Sequence, residues 1–246
     1  MKIGIMGGTF DPIHIGHLLL GEFAYEDFGL DEIWFLPNGN PPHKDTAISE
    51  SIQNDSAEND AAQQSNTVNG AAEKHALQSE REDLAEMTEE ERALLHRVEM
   101  VRLAIEGTPY FKLSLHEASV SRHSYTYRTM REFNRDYPDH EFYFILGADS
   151  LFAIEQWRYF KEIFPTCTIL AAMRDDKDVK DMERQIHYLS GKYDAKISLL
   201  RAPLLEISST TIRERAARGL SSRYMVPDKV ADYIRRHRLY QSVSEA

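Results

Sequence analysis

An α/β fold, an open parallel sheet with helices on both faces, is the class this sequence predicts. Three observations predict it. Strand-type segments alternate with helix-type segments along most of the chain, the pattern of crossover units around a parallel sheet. The strand-type segments read as near-continuous apolar runs, Ile33-Trp34-Phe35-Leu36 being one, as expected of strands buried on both faces. Nearly every polar motif falls just after a strand or at a helix start, where such sheets bind ligands.

The elements follow in order. Residues 2–6 form a short apolar strand leading into Gly7-Gly8. Residues 18–28 form a helix that Gly29 is placed to end. Residues 33–36 form the second strand, stopped by Pro37-Asn38-Gly39. Thr88 and Glu91 then stand as a capping box. The helix that follows carries Leu94, Val98, Val101 and Ile105 on one face and closes at Gly107. Strands are expected at 111–115, 142–146, 168–172 and 196–200. Helices are expected at 127–137, 178–193, 210–218 and 227–237, with 154–164 mostly helical.

The 246 residues, 42% hydrophobic, suffice for one domain spanning 1–246, since α/β domains run to about 250 residues. An insertion at about 46–87 interrupts it. That segment holds no Phe, Trp or Tyr and is rich in Ser, Asn, Gln, Glu and Ala. It lacks the apolar area to offset ordering entropy and is expected to be disordered, with transient helix near 71–85. The net charge of −11 gathers there: residues 45–93 hold 13 Asp/Glu against 3 Lys/Arg, leaving 27 acids and 26 bases elsewhere. A nearly neutral body gives no support to nucleic-acid binding and leaves room for a basic pocket for a small anion. Cys167 is the one cysteine, so no intramolecular disulfide is available. The first residues lack a signal-peptide pattern, and no apolar run reaches the ~18 residues of a membrane span. A soluble cytoplasmic protein without a membrane partner is expected. The oligomeric state is left open, and a homo-oligomer is compatible with the sequence.

Six motifs carry chemistry. Gly7-Gly8-Thr9-Phe10-Asp11-Pro12-Ile13-His14-Ile15-Gly16-His17 places two glycines after a strand and two histidines three apart at a helix start. The glycines allow close backbone approach, and two imidazoles beside free N–H groups suit phosphate oxygens. A plain turn with surface histidines is the alternative. A metal site is another, though it lacks a nearby Cys or third His. Asn40-Pro41-Pro42-His43-Lys44 follows the second strand, with prolines that aim His43 and Lys44, and on its own it reads as a surface turn with a solvated Lys. Gly147-Ala148-Asp149-Ser150 ends a strand, where Asp149 reads equally as a ribose ligand or a helix cap. Trp157, an isolated aromatic, reads as core. Ser124-Tyr125-Thr126-Tyr127 opens a helix and reads as an N-cap. Ile207-Ser208-Ser209-Thr210-Thr211-Ile212-Arg213 sets hydroxyls, free N–H groups and a guanidinium one turn in. That is either an anion site or an ordinary cap.

The eleven-residue string resembles the signature of the HxGH nucleotidyltransferases, a Rossmann-like superfamily. Its long form is similar to that of bacterial nicotinate-nucleotide adenylyltransferases. The likeness spans the chain except about 46–87. It implies that Gly7, Gly8, Thr9, Phe10, His14, His17, Gly147, Asp149, Ile207, Ser208, Ser209, Thr210 and Arg213 bind ATP. It implies that Asn38, His43, Lys44, Tyr125, Thr126 and Trp157 bind the mononucleotide. Trp157 would stack on the nicotinate ring and Thr126 would hold its carboxylate. His14, His17, Lys44 and Arg213 are the implied catalytic groups. Two departures stand out: Arg158 follows Trp157 where related sequences often have Tyr, and the C-terminal run differs at its third residue from the Ile-Ser-Thr-Thr of cytidylyltransferases.

The implied reaction is attack of the nicotinic acid mononucleotide 5′-phosphate on the α-phosphorus of ATP, releasing pyrophosphate. The nucleophile is already an anion near neutral pH, so no general base is needed. Mg²⁺ is expected on the ATP phosphates, with no protein metal cage. His14-Ile15-Gly16-His17 also spells the HIGH motif of class I aminoacyl-tRNA synthetases, yet no Lys-Met-Ser-Lys-Ser run occurs. Pantetheine-phosphate adenylyltransferases lack the Trp157 pattern. Nicotinamide mononucleotide is the nearest rival substrate, and a non-catalytic nucleotide sensor is the reading from another class.

Overall fold

The computed structural model describes residues 1–39, 87–173, 179–203 and 205–241. The sequence motif at residues 40–44, with His43 and Lys44, and the insertion expected at about 46–87 lie outside them, except Met87. The first helical residue expected at 178 also lies outside.

A six-stranded sheet forms in the order β3-β2-β1-β4-β5-β6. Its strands are β1 (Lys2–Gly8), β2 (Glu32–Pro37), β3 (Phe111–Leu113), β4 (Glu141–Gly147), β5 (Thr168–Ala172) and β6 (Ile197–Leu200). Every pairing is parallel. This is the expected Rossmann-like class. The chain builds outward from β1 to β3, then returns to β4 on the other side of β1. The crevice between the carboxyl ends of β1 and β4 is therefore the topological switch point, the place where open α/β sheets bind ligands.

Alternation along the strands sorts side chains to two faces. Met6, Ile33, Phe35, Ile145 and Leu170 join one buried cluster. Helices α1 (Ile15–Phe28), α2 (Glu89–Ile105), α6 (Ser209–Ala217) and α7 (Asp228–Arg236) cover it. Ile3, Ile5, Phe142, Phe144 and Ile169 join the other, covered by α3 (Thr126–Asp136) and α5 (Val179–Tyr193).

The helix ends obey their sequence signals. Gly29 closes α1 in the left-handed conformation, φ 59°, which a residue without Cβ adopts at little cost. Thr88 and Glu91 form the reciprocal capping box of α2, with bonds of 3.2 and 2.8 Å. Residues 154–164 depart from expectation. A short helix α4 (Ala148–Phe152) comes first, followed by three separate 3₁₀ turns at Ile154–Gln156, Phe160–Glu162 and Phe164–Thr166. Tyr159 breaks the run at φ 52°, and Pro165, lacking an N–H, sits at the start of the last turn.

Among the described residues, no helix is long and apolar enough to cross a membrane.

Candidate active site

The phosphate-type motif occupies the end of β1 and the start of α1. Gly8 pairs with Pro37 of β2, and the register of β1 on β4 carries it level with Gly147. The chain turns sharply at Phe10, φ 50°, and at a cis Asp11–Pro12 bond. Gly7 and Gly8 remain in the extended strand. A Cβ on Gly7 would meet only Phe144, at 4.0 Å, so the backbone there stays open to close approach.

His14 is the N-cap of α1, and His17 lies one turn in. Their rings lie 3.8 Å apart between centroids, tilted by 31°, so both face one way. His14 is buried and His17 half-buried, which removes the reading of two surface histidines. The His14 backbone N–H donates to His17 Nδ1 at 3.2 Å. An accepting Nδ1 in a neutral ring leaves the proton on Nε2, the nitrogen on the far side of the ring. Burial pulls the His14 pKa down to about 4. Burial also pulls His17 well below its ordinary value, and the neighbouring His14 adds to that. Both rings are neutral at pH 7. Gly16 has a steric reason: its Cβ would stand 3.0 Å from His14 Nδ1.

The C-terminal run folds onto this turn. Ser208 caps α6, its Oγ accepting from Thr211 N–H at 3.1 Å. Ser209 Oγ donates to the Pro12 carbonyl at 2.9 Å. Arg213 donates from Nη1 to the Asp11 carbonyl at 2.8 Å and from Nη2 to Thr210 Oγ1 at 3.3 Å. Ile207 packs on the same core cluster as Phe10. Motifs some two hundred residues apart thus meet at the N-termini of α1 and α6, the positive ends of two helix dipoles.

Gly147 is the N-cap of α4. Asp149 therefore lies inside the first turn, away from the cap position, and is exposed. Asn38 follows β2, and its N–H donates to the Gly8 carbonyl at 3.0 Å. Tyr125 and Thr126 are the N-cap and first residue of α3. The N-cap expected of this run falls on Tyr125, which makes no side-chain cap bond. Trp157 is half-buried at the end of a 3₁₀ turn, edge-on to Phe144 at 6.2 Å. Arg158 is exposed. Its guanidinium lies over Tyr125 at 5.2 Å and over Tyr159 at 5.3 Å. Tyr125 and Trp157 pack on one face of the sheet and Phe10 and Ile207 on the other, so the two residue groups flank the crevice.

Sequence reasoning missed a buried network beneath the turn. Arg97 of α2 is 1% exposed and donates to the carbonyls of Thr9 and Asn38. Tyr240 donates to Asp11 Oδ1 at 2.8 Å. The available signal was an Arg on the apolar face of α2, three residues after Leu94 and four before Val101.

With this geometry in place, the comparisons are decisive about family. Residues 5–55 and 76–215 match the Cytidylyltransferase-like family. A probable nicotinate-nucleotide adenylyltransferase of Lachnoclostridium phytofermentans is 40% identical over 97% of this chain and 98% of its own length. One from Exiguobacterium sibiricum is 36% identical over 98% and 99%. A solved Plasmodium falciparum nicotinic acid mononucleotide adenylyltransferase complexed with NaAD superposes with a TM-score of 0.63. It covers 97% of both chains at 19% identity, a likeness of fold. The chain belongs to the cytidylyltransferase-like nucleotidyltransferases. Within them it belongs to the nicotinate-nucleotide adenylyltransferases.

Proposed function

We infer that this chain transfers the adenylyl group of ATP to nicotinic acid mononucleotide, forming nicotinic acid adenine dinucleotide and pyrophosphate. The observation that carries the reading is the union of the two phosphate-type motifs, Arg213 bonded to the Asp11 carbonyl and Ser209 to that of Pro12. The relatives at 36–40% identity over nearly the full chain supply the substrate.

The chemistry follows from charge. The acceptor phosphate is an anion near neutral pH and attacks without a general base. What the protein must supply is alignment, worth an effective molarity of about 10⁵–10⁸ M, and stabilisation of charge on the α-phosphate and departing pyrophosphate. His14 and His17, Arg213 and the N-termini of α1 and α6 would bind the triphosphate, with Gly7, Gly8, Thr9 and Phe10 beneath it. Gly147 and Asp149 would serve the adenosine. Asn38, Tyr125, Thr126 and Trp157 would hold the mononucleotide, joined by His43 and Lys44. Among the described residues no group of three or more His, Cys, Asp or Glu gathers to hold a metal. We read MgATP as the nucleotide substrate, with the Mg²⁺ carried on the ATP phosphates. We read the chain as one domain, working in the cytoplasm.

Pyrophosphate release measured in parallel tests the reading. The acceptors are nicotinic acid mononucleotide, its amide, 4′-phosphopantetheine and glycerol 3-phosphate, each with ATP and with CTP. Release only with ATP, and highest with the acid mononucleotide, is expected. Highest turnover with another acceptor or with CTP overturns it, and no release at all favours a nucleotide sensor.

A further inference from the structure

The buried Arg97 has no place in the substrate roles just given. It is among the largest fully buried side chains of the described structure, on the face of α2 that otherwise presents Leu94, Met100, Val101 and Ile105. Burying a guanidinium is costly unless its donors are met, and an apolar side chain would pack there without that cost. Its partners are specific. Nη1 donates to Thr9 O at 2.6 Å and to Asn38 O at 2.7 Å, and Nη2 reaches Gly39 O at 3.4 Å. Thr9 lies in the turn after β1 and Asn38 and Gly39 in the loop after β2. Gly39 N–H also donates to Glu117 O at 2.8 Å. Glu117 in turn accepts from Thr129 Oγ1 of α3 at 2.6 Å, three residues beyond Thr126. A line of bonds thus runs from the triphosphate turn through Arg97 to the helix that begins at the proposed nicotinate ligand.

We propose that Arg97 is a positioning residue: its planar guanidinium locks the turn after β1 to the loop after β2, and so sets ATP and the acceptor phosphate in line. The proposal rests on the adenylyl-transfer reading above. Each loop alone would still bind its own substrate. Their relative placement determines the approach of the acceptor oxygen to the α-phosphorus, where a misplacement near 1 Å costs about 10²-fold. Lys keeps the positive charge, but its single nitrogen falls short of Nη1 and offers nothing to Gly39. Burial works against the Arg97 cation and the nearby Asp11 carboxylate favours it; Asp11 and its partner Tyr240 stay in place in such a variant.

The test compares the parent chain, Arg97→Lys, Arg97→Met and a control, Met100→Ala, a buried apolar residue of the same helix. Tm, kcat, and Kd for ATP and for nicotinic acid mononucleotide bound singly are measured well below each Tm. Arg97→Lys is expected to fold, to bind each substrate nearly as the parent does, and to lose about 10²-fold in kcat. Met100→Ala is expected to lose Tm with kcat kept. Unchanged kcat in Arg97→Lys overturns the proposal. So does a loss carried wholly by the two Kd values, or a kcat loss matched by Met100→Ala at equal Tm. Failure of both Arg97 variants to fold makes Arg97 a folding residue and also overturns it. If the parent itself does not adenylylate nicotinic acid mononucleotide, the reading of function fails instead, and the same comparison is run with whichever acceptor the parent uses.

Discussion

Arg213 Nη1 donates to the carbonyl of Asp11 at 2.8 Å across 202 positions of sequence. The bond takes one side of the guanidinium fork, Thr210 Oγ1 meets the other, and the cation is held beside the histidine turn. Arg213→Ala is expected to raise the ATP KM or lower kcat, and to lower Tm because a carbonyl bond to a charged donor is worth about 1.5–3 kcal/mol. Lys restores part of the loss, since its point charge cannot keep the carbonyl and reach a phosphate in the same fork geometry. Steady-state kinetics with MgATP and thermal melts check both arms. Equal ATP kinetics for Ala and parent would leave Arg213 as a helix-start ornament of the fold.

His17→Ala, and His14→Ala with it, is expected to cut kcat on the order of 10²-fold, the loss typical of one transition-state donor. Both rings are neutral before ATP binds. A triphosphate beside them favours their protonated forms. ATP binding should therefore take up protons and weaken as pH rises through the bound-state pKa values. Calorimetric titration in two buffers of different ionisation enthalpy reads the uptake. Folded variants with parental kcat would strike the histidines from the catalytic set.

Gly16→Ala sets a methyl 3.0 Å from His14 Nδ1. The ring must shift by a few tenths of an ångström, which disturbs its stacking on His17. A fall in kcat larger than the fall in folding stability is expected, measured by kinetics beside urea melts. A purely structural loss would show in the melts alone.

His96 of α2 pairs Nδ1 with Tyr233 of α7 at 2.8 Å. Burial, then His237 and Arg92, hold its pKa down at about 4 from 6.5. Tyr233 also lies near Glu99. Between those values the unfolded chain binds the extra proton, so stability rises with pH there. The contribution is fully present above 6.5 and is lost as pH falls toward 4, by up to about 3 kcal/mol. His96→Gln keeps an acceptor for Tyr233 and removes the titration. Its stability should depend less steeply on pH in that window. Parallel pH profiles for parent and variant in urea unfolding would contradict this.

The acid mononucleotide is expected to be preferred over the amide, since N–H and hydroxyl donors satisfy a carboxylate and leave an amide NH₂ facing other donors. Arg158, held over Tyr125 beside Thr126, adds positive potential on that side. Being exposed, it contributes modestly and less at high salt. Thr126→Val should narrow the preference, Trp157→Ala should weaken both substrates, and Arg158→Gln should narrow it slightly at low salt only. Equal kcat/KM for acid and amide in the parent chain would refute the acid assignment.

Much of this was legible in sequence because the signals are local. The Thr88–Glu91 box, the Gly29 cap and the apolar runs of β2 and β5 each depend on neighbours a few positions away. The segment after β4 was misjudged because its apolar spacing suits a helix, whereas Tyr159 and Pro165 interrupt it in three dimensions. Arg97, Asp11 and Tyr240 escaped notice for another reason. Their bonds join residues from 58 to 229 positions apart, and nothing in the local pattern around any of them names the other partner. The phosphate-type residues stood out because their types suit one ligand; the residues that hold them in place carry no such mark.

The bond from Tyr240 to Asp11 has a consequence for the order of assembly. Among the described strands β1 is made first, yet the turn after it is completed late, because the side chain bonded to the Asp11 carboxylate is made 229 residues after it. A nascent chain that has passed Arg213 but not reached Tyr240 owns all six strands and the bonds from Arg97, Ser209 and Arg213 to this turn, and lacks the bond from Tyr240 to the Asp11 side chain. Tyr240 thus acts as a keystone, fitted after Arg97, Ser209 and Arg213 have already gathered the turn.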